Sequence, residues 1–450
     1  MQAPPGPRGR EVLGFLGIGS VSATIEFLER TARRYGPVSS FRILNRRIYL
    51  VDDADLIKEI LVTQQHNFVR DRGATLLREL VGDGLITRDE PLHRERRRIL
   101  QPAFHHSQIA AYARIMSAET AEFSKQLTPG TVIDLRKEMR RLTLSIAGAA
   151  LFGADFRSSA DQVASVLQRV IARSRWLAPL ATFTEFVPLL YRRFFPHGPS
   201  LFFPKERKEL EQIIAPILEQ RRAATGKDVL SLLLAYRTGG DDPFTTEDIR
   251  NEVVTFMLAG HETTASALTW AWYLIAQHPQ VEHKLQAEAD RVLGDREPTM
   301  DDLPQLKYTS LVFQEAMRLY PPALAFARRP KQPVLLGGYV IPPNASVFVS
   351  PYVTQRNPRY FDRPESFEPE RWETIAPPKF AYFPFGGGAK MCIGESFAKT
   401  EGVIVLAMLS RRWRLVLADT ANVGPAPGML LNPNRPILVR VEERMVPVLV

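Results

Sequence analysis

Phe385-Gly-Gly-Gly-Ala-Lys-Met-Cys392-Ile-Gly394 is the stretch on which the reading of this chain turns. Cys392 is the only cysteine among 450 residues. A lone thiol cannot be half of an intrachain disulfide, nor can it build a multi-cysteine zinc or iron–sulfur site. It can be an inert core thiol, a nucleophile or a single axial ligand. Three consecutive glycines remove side chains, so that backbone N–H groups can close around an anionic sulfur. The run that follows, with Ser396, Phe397, Ala398, Val403, Ile404, Leu406 and Ala407, predicts a helix. The sulfur then lies near a helix N-terminus, where the dipole favours thiolate. From these residues alone the axial ligand and the buried structural thiol stand level.

The rest of the chain is 45% hydrophobic and 24% charged, a globular balance with material for a large core. Length suggests about three domains, but no internal repeat and no Gly/Ser linker divides the sequence. One domain over residues 1–450 is expected, with residues 1–10 as a proline-rich N-terminal segment. Leu13-Gly-Phe-Leu-Gly-Ile18 is far short of the ~20 apolar residues that a spanning helix needs. It also lacks the basic flank and cleavage site of a signal peptide. The net charge of +9, from 58 basic and 49 acidic residues, can mean nucleic acid, an anionic membrane surface or an acidic protein partner. No RNP, zinc-finger or basic-helix pattern supports nucleic acid, and most of the charge reads as scattered solvated surface.

Phe41 to Val51 is β-like, with Ile43, Ile48, Leu50 and Val51 around an Asn45-Arg46 turn. Residues 54–64 and 108–126 read as amphipathic helices. Between Trp176 and Lys205, Phe183, Phe186, Tyr191, Phe194, Phe195, Phe202 and Phe203 mix with five prolines, which predicts short helices joined by loops. From Pro243 a long helix begins, opened by a Thr245/Asp248 capping-box pattern and apolar on nearly all sides from Ile249 to Ile275. Such a helix is buried or membrane-spanning; His261 and Glu262 in its middle point to burial. Val334 to Val349 reads as a hairpin around Pro342-Pro343-Asn344, and Pro436 to Glu442 as a late strand. The fold class is mainly α with a minor β region.

Phe385, Gly388, Cys392 and Gly394 match the haem-binding signature of the cytochromes P-450, the haem-thiolate monooxygenases. The chain resembles that family over most of its length, because Ala259-Gly-His-Glu-Thr-Thr264, Glu315-Ala-Met-Arg318 and Phe367-Glu-Pro-Glu-Arg371-Trp372 also match its motifs in order. The resemblance implies a single-domain triangular helical prism with a minor β region. It implies one haem b, held non-covalently between the central helix and the cysteine loop, with Cys392 as axial ligand to the iron. Thiolate ligation pushes electron density toward iron and favours O–O cleavage. The aromatic stretch at about 176–205 corresponds to a lid over the substrate channel; loop aromatics packed on the domain carry equal weight. The family's membrane-bound members carry an anchor before a hinge like Ala3-Pro-Pro-Gly-Pro-Arg8. Nothing precedes it here, so a soluble cytoplasmic enzyme is expected.

On the distal side, Gly260 is worth about 1 kcal/mol less than Ala in a helix interior. With Ala259, its expected use is to let a planar cofactor and O2 approach the backbone. Thr263 can bond back to a carbonyl one turn earlier and open the helix locally. Glu262 beside it can relay protons from solvent. A zinc-protease reading of His261-Glu262 fails, since Ala265 stands where H-E-x-x-H needs histidine. His261 is expected to meet a neighbouring helix rather than iron.

Glu315 and Arg318 share one helix face, and the resemblance makes them, with Arg371, a buried structural triad beneath the cysteine loop. His93 and Arg97, at i and i+4, suit the two haem propionates, as does Arg328, while Arg94, Arg96 and Arg98 read as a solvated basic face. Two positions depart from the family's pattern. Lys390 replaces the usual Arg or His two residues before the cysteine and offers a propionate only a point charge. Gln355, in Gln355-Arg-Asn-Pro358, replaces a His whose propionate contact it could take over.

The expected reaction inserts one atom of O2 into an apolar substrate, a fatty acid, terpenoid or steroid-like molecule, with Leu324, Phe326, Met429, Leu430 and the 70–82 segment lining the pocket. Thr263 and Glu262 handle protons. No flavin or NAD fingerprint is present, so a monomer fed by a separate ferredoxin or flavodoxin and its reductase is expected, with NAD(P)H used only indirectly. An H2O2-driven peroxygenase and a non-catalytic haem sensor are the alternatives; the Glu262-Thr263 pair argues against both.

Overall fold

The computed structural model describes residues 3–16, 22–43, 46–71, 73–159, 161–167, 169–170, 173, 202–221, 226–237, 244–419, 421–426, 428 and 430–444. Asn45, residues 176–201 of the expected lid, and Met429 lie outside the described residues.

The amino-terminal part runs α1 (Ala23–Tyr35), β1 (Val38–Ile43), β2 (Arg46–Val51), β3 (Phe68–Arg70), α2 (Gly73–Val81) and α3 (Leu92–Leu100). Then come α4 (His106–Gln126), β4 (Val132–Asp134), α5 (Leu135–Ala147), α6 (Pro204–Gln220) and α7 (Val229–Arg237). The long central helix is α8 (Thr246–Gln277), followed by α9 (Pro279–Leu293) and α10 (Lys307–Leu319). Strands β5 (Phe326–Pro330), β6 (Val334–Leu336), β7 (Tyr339–Ile341) and β8 (Ser346–Val349) precede α11 (Glu395–Arg412). The chain closes with β9 (Trp413–Leu417), β10 (Pro425–Ala426), β11 (Asn432–Pro433) and β12 (Leu438–Glu443).

Helix α8 starts where its capping box sits: Thr245 Oγ1 accepts from the Asp248 N–H at 3.0 Å and Asp248 returns the bond to the Thr245 N–H at 3.1 Å. Its apolar surface on all sides is explained by its neighbours, since α5, α6, α10 and α11 all pack against it. The largest hydrophobic cluster is built around it, with Trp270 and Trp272 fully buried. A five-stranded sheet in the order β1-β2-β8-β5-β3 forms the minor β region, antiparallel except for β2 with β8. A three-stranded antiparallel sheet, β4-β12-β9, lies near the carboxyl end.

The 334–349 stretch is not one hairpin. Strand β6 turns back onto β7 at Gly337-Gly338, both at positive φ (56° and 83°), and Pro342-Pro343-Asn344 carries the chain on to β8 in the large sheet. Two adjacent prolines cannot donate to a ladder, so that segment is a crossover, with Asn344 at φ 61°.

Below the cysteine loop, Glu315 is fully buried and its carboxylate accepts five N–H bonds. Two come from Arg318 at 2.9 Å, one from Arg371 at 2.8 Å, one from Trp372 Nε1 at 2.9 Å and one from the Glu368 backbone at 3.1 Å. The rest of each guanidinium is spent on carbonyls: Gln355, Pro364 and Ser366 for Arg318, and Asp362, Arg363 and Ser366 for Arg371. One carboxylate thereby ties α10 to the irregular 355–372 stretch. Breaking one member of a buried ion pair strands the others without compensation. Glu315→Gln should therefore lower unfolding stability by about 3–5 kcal/mol, read as a shift of the denaturant midpoint.

Candidate active site

The cysteine loop is held by short-range geometry. Cys392 N–H donates to the Phe385 carbonyl at 3.0 Å, and Met391 N–H to Gly388 at 3.1 Å. Gly388 sits at φ 70° in the left-handed region, and a Cβ there would overlap the Leu61 carbonyl, so only glycine fits. A Cβ on Gly387 would overlap the Phe380 ring. The glycines thus serve close approach to neighbouring groups, rather than forming a cage of N–H groups around the sulfur. The N–H that does face the sulfur belongs to Gly394, at the start of α11.

Cys392 is exposed by surface area, yet protein surrounds it closely enough that burial pushes its thiol pKa up, opposed by the Gly394 N–H and the Arg97 guanidinium. The thiol therefore opens onto space walled by the protein. Phe104 connects this loop to α8: its ring lies beside Gly394 and stacks on Phe256 with centroids 5.7 Å apart.

Between Asn251 and Ile275 every residue of α8 is buried except Ala259, Gly260 and Thr263. Thr263 Oγ1 donates to the Ala259 carbonyl at 2.7 Å, the bond expected from the sequence, and Thr264 donates to Gly260 at 3.3 Å. The expected opening of the helix is absent; α8 runs unbroken through these residues. A Cβ on Gly260 would meet Leu151 and Ala147 at 3.4 and 3.6 Å, ordinary contact distances, so packing against these neighbours does not demand glycine here.

Glu262 points to α5. Arg140 grips it at 2.7 and 3.0 Å, and His261 Nε2 lies 3.6 Å away. Burial alone would raise its pKa, but His261, Arg140 and Arg136 outweigh burial and hold the carboxyl at about 2. His261 stays on its own helix, with Nδ1 2.6 Å from the Met257 carbonyl.

Around α3 a group of cations converges. His93 is buried, with Nδ1 3.1 Å from Glu90. Burial, then the nearby Arg70 charge, lowers its pKa to about 4, so it is a neutral hydrogen-bonding group at pH 7. Arg97 reaches the Met391 carbonyl at 2.6 Å. Among the described residues Arg328 donates to its neighbour, the Ala327 carbonyl at 3.0 Å, and to no other group, and burial depresses its pKa. Lys390 is paired with Asp89. Arg70, which the sequence reading placed only in the pocket-lining 70–82 segment, joins them: burial and Arg328 bring its pKa down to about 10. Arg97, Arg328, Lys390 and Arg70 outnumber the acids Asp71, Asp89 and Glu90 that face them, and with the neutral His93 as a hydrogen-bonding partner they suit an anionic group.

Two other expectations are overturned. Gln355 is fully buried and spends its amide on backbone, donating to the Met317 and Arg318 carbonyls at 3.0 and 2.9 Å and accepting from Phe383 N–H at 3.0 Å. It staples the end of α10 to the cysteine loop and has nothing left for a propionate. Arg96 is not solvated; it is buried on Asp248 and Glu252 with Phe244 4.1 Å from its guanidinium. Arg94 and Arg98 are exposed as expected.

Of the expected pocket residues, Phe326 lies on β5 against Gly386 of the cysteine loop and 6.3 Å from Phe383. Leu324 packs against the buried cluster that includes Tyr352, Val353 and Leu431. Leu430 is half-buried beside Leu431, whose carbonyl accepts from Ser266 and Trp270 of α8 at 2.8 and 2.9 Å.

The Cytochrome P450 family model matches residues 4–441. Cyclooctatin synthase of Streptomyces melanosporofaciens is 37% identical over 88% of this chain and 87% of its own length. Cyclooctat-9-en-7-ol 5-monooxygenase of the same organism is 32% identical over 85% and 83%, and pentalenene oxygenase of Streptomyces avermitilis 32% over 87% of each. The chain belongs to the cytochrome P450 family and is a monooxygenase. The family implies haem, O2, a redox partner and an apolar substrate. The residues present fit a haem: an accessible thiol, a deficit of anions beside it, and one open patch on an otherwise buried helix. Among the described residues no helix is long and apolar enough to cross a membrane.

The entrance side of α8 carries a titrating group that the sequence reading passed over. Glu252 is completely buried, accepts from Leu85 N–H at 3.0 Å and lies 3.4 Å from Arg96, so it anchors the 82–88 connection between α2 and α3. Burial raises its pKa to about 7. A carboxyl whose pKa is raised on folding contributes its stability below the unfolded value of 4.5 and loses it as pH climbs through 7. The wild type should lose on the order of 3 kcal/mol across that window. Glu252→Gln should flatten the dependence, measured by chemical unfolding at a series of pH values.

Proposed function

We propose that this monooxygenase oxidises a terpenoid within a single domain carrying one haem b, with Cys392 as the axial thiolate. The observation that carries the site assignment is the coincidence of an accessible lone cysteine with the one gap in the burial of α8, at Ala259, Gly260 and Thr263. One family model spanning residues 4–441 supports the single-domain reading. Of the apolar classes, a terpenoid is favoured by the relatives named for cyclooctatin and pentalenene chemistry.

When bound, the haem supplies the reductive activation of O2. The protein's own groups do the rest. Cys392 ligates, and the Gly394 N–H and Arg97 offset charge on its sulfur. His93, Arg97, Arg328 and Arg70 orient the two propionates, with Lys390 sharing its charge between them and Asp89. Thr263 holds a hydroxyl at the open patch. Glu262, beside it, handles a proton only when its pair with Arg140 loosens, because at a pKa of about 2 it is ionised at rest. Phe326 and Leu324, each packed on an apolar cluster, would with Leu430 line an apolar pocket that excludes water.

Electrons come from a separate ferredoxin or flavodoxin served by its own reductase, and the protein works as a cytoplasmic monomer. Arg94 and Arg98, exposed on α3, are suited to meet an acidic donor. Lys390 is not, because it is largely buried on Asp89.

The reduced, CO-bound protein should show the strongly red-shifted Soret band of thiolate ligation, and Cys392→His should retain haem without that band. A wild-type spectrum like that of a histidine-ligated globin would refute the ligand assignment. Thr263→Ala should keep substrate binding while a larger share of reductant ends as hydrogen peroxide. An unchanged ratio of product to NAD(P)H consumed would remove Thr263 from the proton path and return weight to the peroxygenase and sensor readings.

A further inference from the structure

The stripe of α8 that carries the open patch continues, buried, onto a single peptide group. Ser266 and Trp270 stand three and seven positions after Thr263, on the same helical face. Both are buried, and both donate to the Leu431 carbonyl, Ser266 Oγ at 2.8 Å and Trp270 Nε1 at 2.9 Å. The Leu431 N–H is taken as well, by the Pro322 carbonyl at 2.8 Å. A carbonyl with both lone pairs occupied, beside an N–H that is also bonded, has little freedom to tilt or slide. Three segments therefore meet at Leu431: α8, the 322–326 run that carries Leu324 and Phe326, and the β10–β11 hairpin.

That hairpin cannot fix its own position. Its strands are two residues each, and Pro425 faces Pro433, so neither member of that pair has an N–H to give. Side chains of α8 supply the missing hold. Val423 N–H, at the base of the hairpin, donates to the Tyr273 hydroxyl at 3.4 Å. Trp270 is itself immobilised, its ring stacked on Tyr320 with centroids 3.8 Å apart and 6° between the planes. From Tyr273 through Trp270 to Ser266 the attachments run back along the helix toward Thr263. Ser266 lies about 4.5 Å along the axis from Thr263, and the half-buried Leu430 adjoins Leu431.

We propose that Ser266 and Trp270 are positioning residues for specificity: through the Leu431 carbonyl they fix how far the β10–β11 hairpin extends toward the open patch, and hence which carbon of an apolar substrate rests there. Such a substrate offers few hydrogen-bonding groups, so the walls decide its orientation. A displacement of about 1 Å at the reacting atom can change a rate about a hundredfold. The proposal rests on the reading of Ala259, Gly260 and Thr263 as the face turned to the haem. Removing one donor leaves the carbonyl bonded, whereas removing both leaves it buried and unsatisfied, which is disproportionately unfavourable. The double loss should therefore exceed the product of the single ones.

The test uses the haem-loaded enzyme, with imidazole and 4-phenylimidazole as iron-coordinating probes that differ by one apolar ring. Their Kd values are read from the shift of the Soret band. Ser266→Ala and Trp270→Phe, the latter keeping a ring to stack on Tyr320, should each change the 4-phenylimidazole Kd by about twofold, and the two together by about tenfold or more. Imidazole should bind all of them like the wild type. Ser266→Thr, which retains the hydroxyl, should restore wild-type affinity for both probes. The red-shifted CO band, retained in each variant, verifies fold and ligand. With the sesquiterpene valencene as substrate, the ratio of oxidised products should shift in the same order. The proposal is overturned if the double variant binds 4-phenylimidazole like the wild type, or if both probes weaken alike. Should the double variant lose its haem, Ser266→Ala decides, and an unchanged 4-phenylimidazole Kd refutes the proposal. A wild type that binds neither probe refutes the haem-face reading instead, and one that binds both but leaves valencene untouched speaks only against the terpenoid class.

Discussion

The buried carboxylate of Glu315 is the constraint on which the rest of the site depends. Five N–H groups satisfy it, from α10, from the 366–372 stretch and from two guanidinium groups that then cross-link six carbonyl contacts. A charge taken out of water is tolerable only when every lone pair is occupied in good geometry, and here the occupants are drawn from segments with little regular structure. The long run between β8 and α11, which holds only short helical turns such as Pro351–Thr354 and Arg371–Thr374, is thereby fixed. Gln355 adds a neutral version of the same device, joining the last turn of α10 to Phe383, close to the start of the cysteine loop. Gly388, fitted against the Leu61 carbonyl, seats the loop on the opposite side.

Helix α8 shows how one element can hold carboxyl groups in different protonation states. Glu252, near its start, is raised to about 7 because burial exceeds what Arg96 and the Leu85 N–H return. Ten residues on, Glu262 is held at about 2 because His261, Arg140 and Arg136 exceed burial. Glu401 faces the helix from α11 with no compensating charge and keeps its proton. Burial is similar in all three cases; the number of nearby cations decides the outcome. The same physics in reverse acts beside α3, where burial lowers the pKa of Arg328 despite Asp89 and Asp71, and burial together with Arg328 lowers that of Arg70. A clustering of like charge is unfavourable unless something anionic occupies the space between, as propionates would.

Much of this was legible in the sequence, for identifiable reasons. A sole cysteine in a glycine-rich loop, an all-round apolar helix interrupted by Ala259-Gly-His-Glu-Thr-Thr264, and the pairing of Glu315 with Arg318 one helical turn on are local patterns, whereas Arg371 joined them only through the resemblance to the cytochromes P-450. The capping box at Thr245 and the helix after Cys392 are local in the same sense. By contrast, the 334–349 strands were misjudged because β8 pairs with β5, which precedes the β6–β7 hairpin, and with β2, far away in sequence. Arg96 was taken as solvated because its neighbours on α3 are; its burial comes from Asp248, Glu252 and Phe244 on and before α8.

The sequence by itself determined most of the elements, since these follow from composition, period and spacing, while the ligand role of the cysteine loop and the membership of the triad came from the resemblance of its motifs to the cytochromes P-450. Only the tertiary structure decided which polar groups face which. It turned Gln355 from a propionate partner into a backbone staple, brought Arg70 to Arg328, clamped Glu262 on Arg140 and left Glu401 unpartnered behind Thr264. The physical reason is that charge state and hydrogen bonding depend on distances of a few ångströms between segments a hundred or more residues apart, whereas helix period and turn chemistry are settled within a few residues.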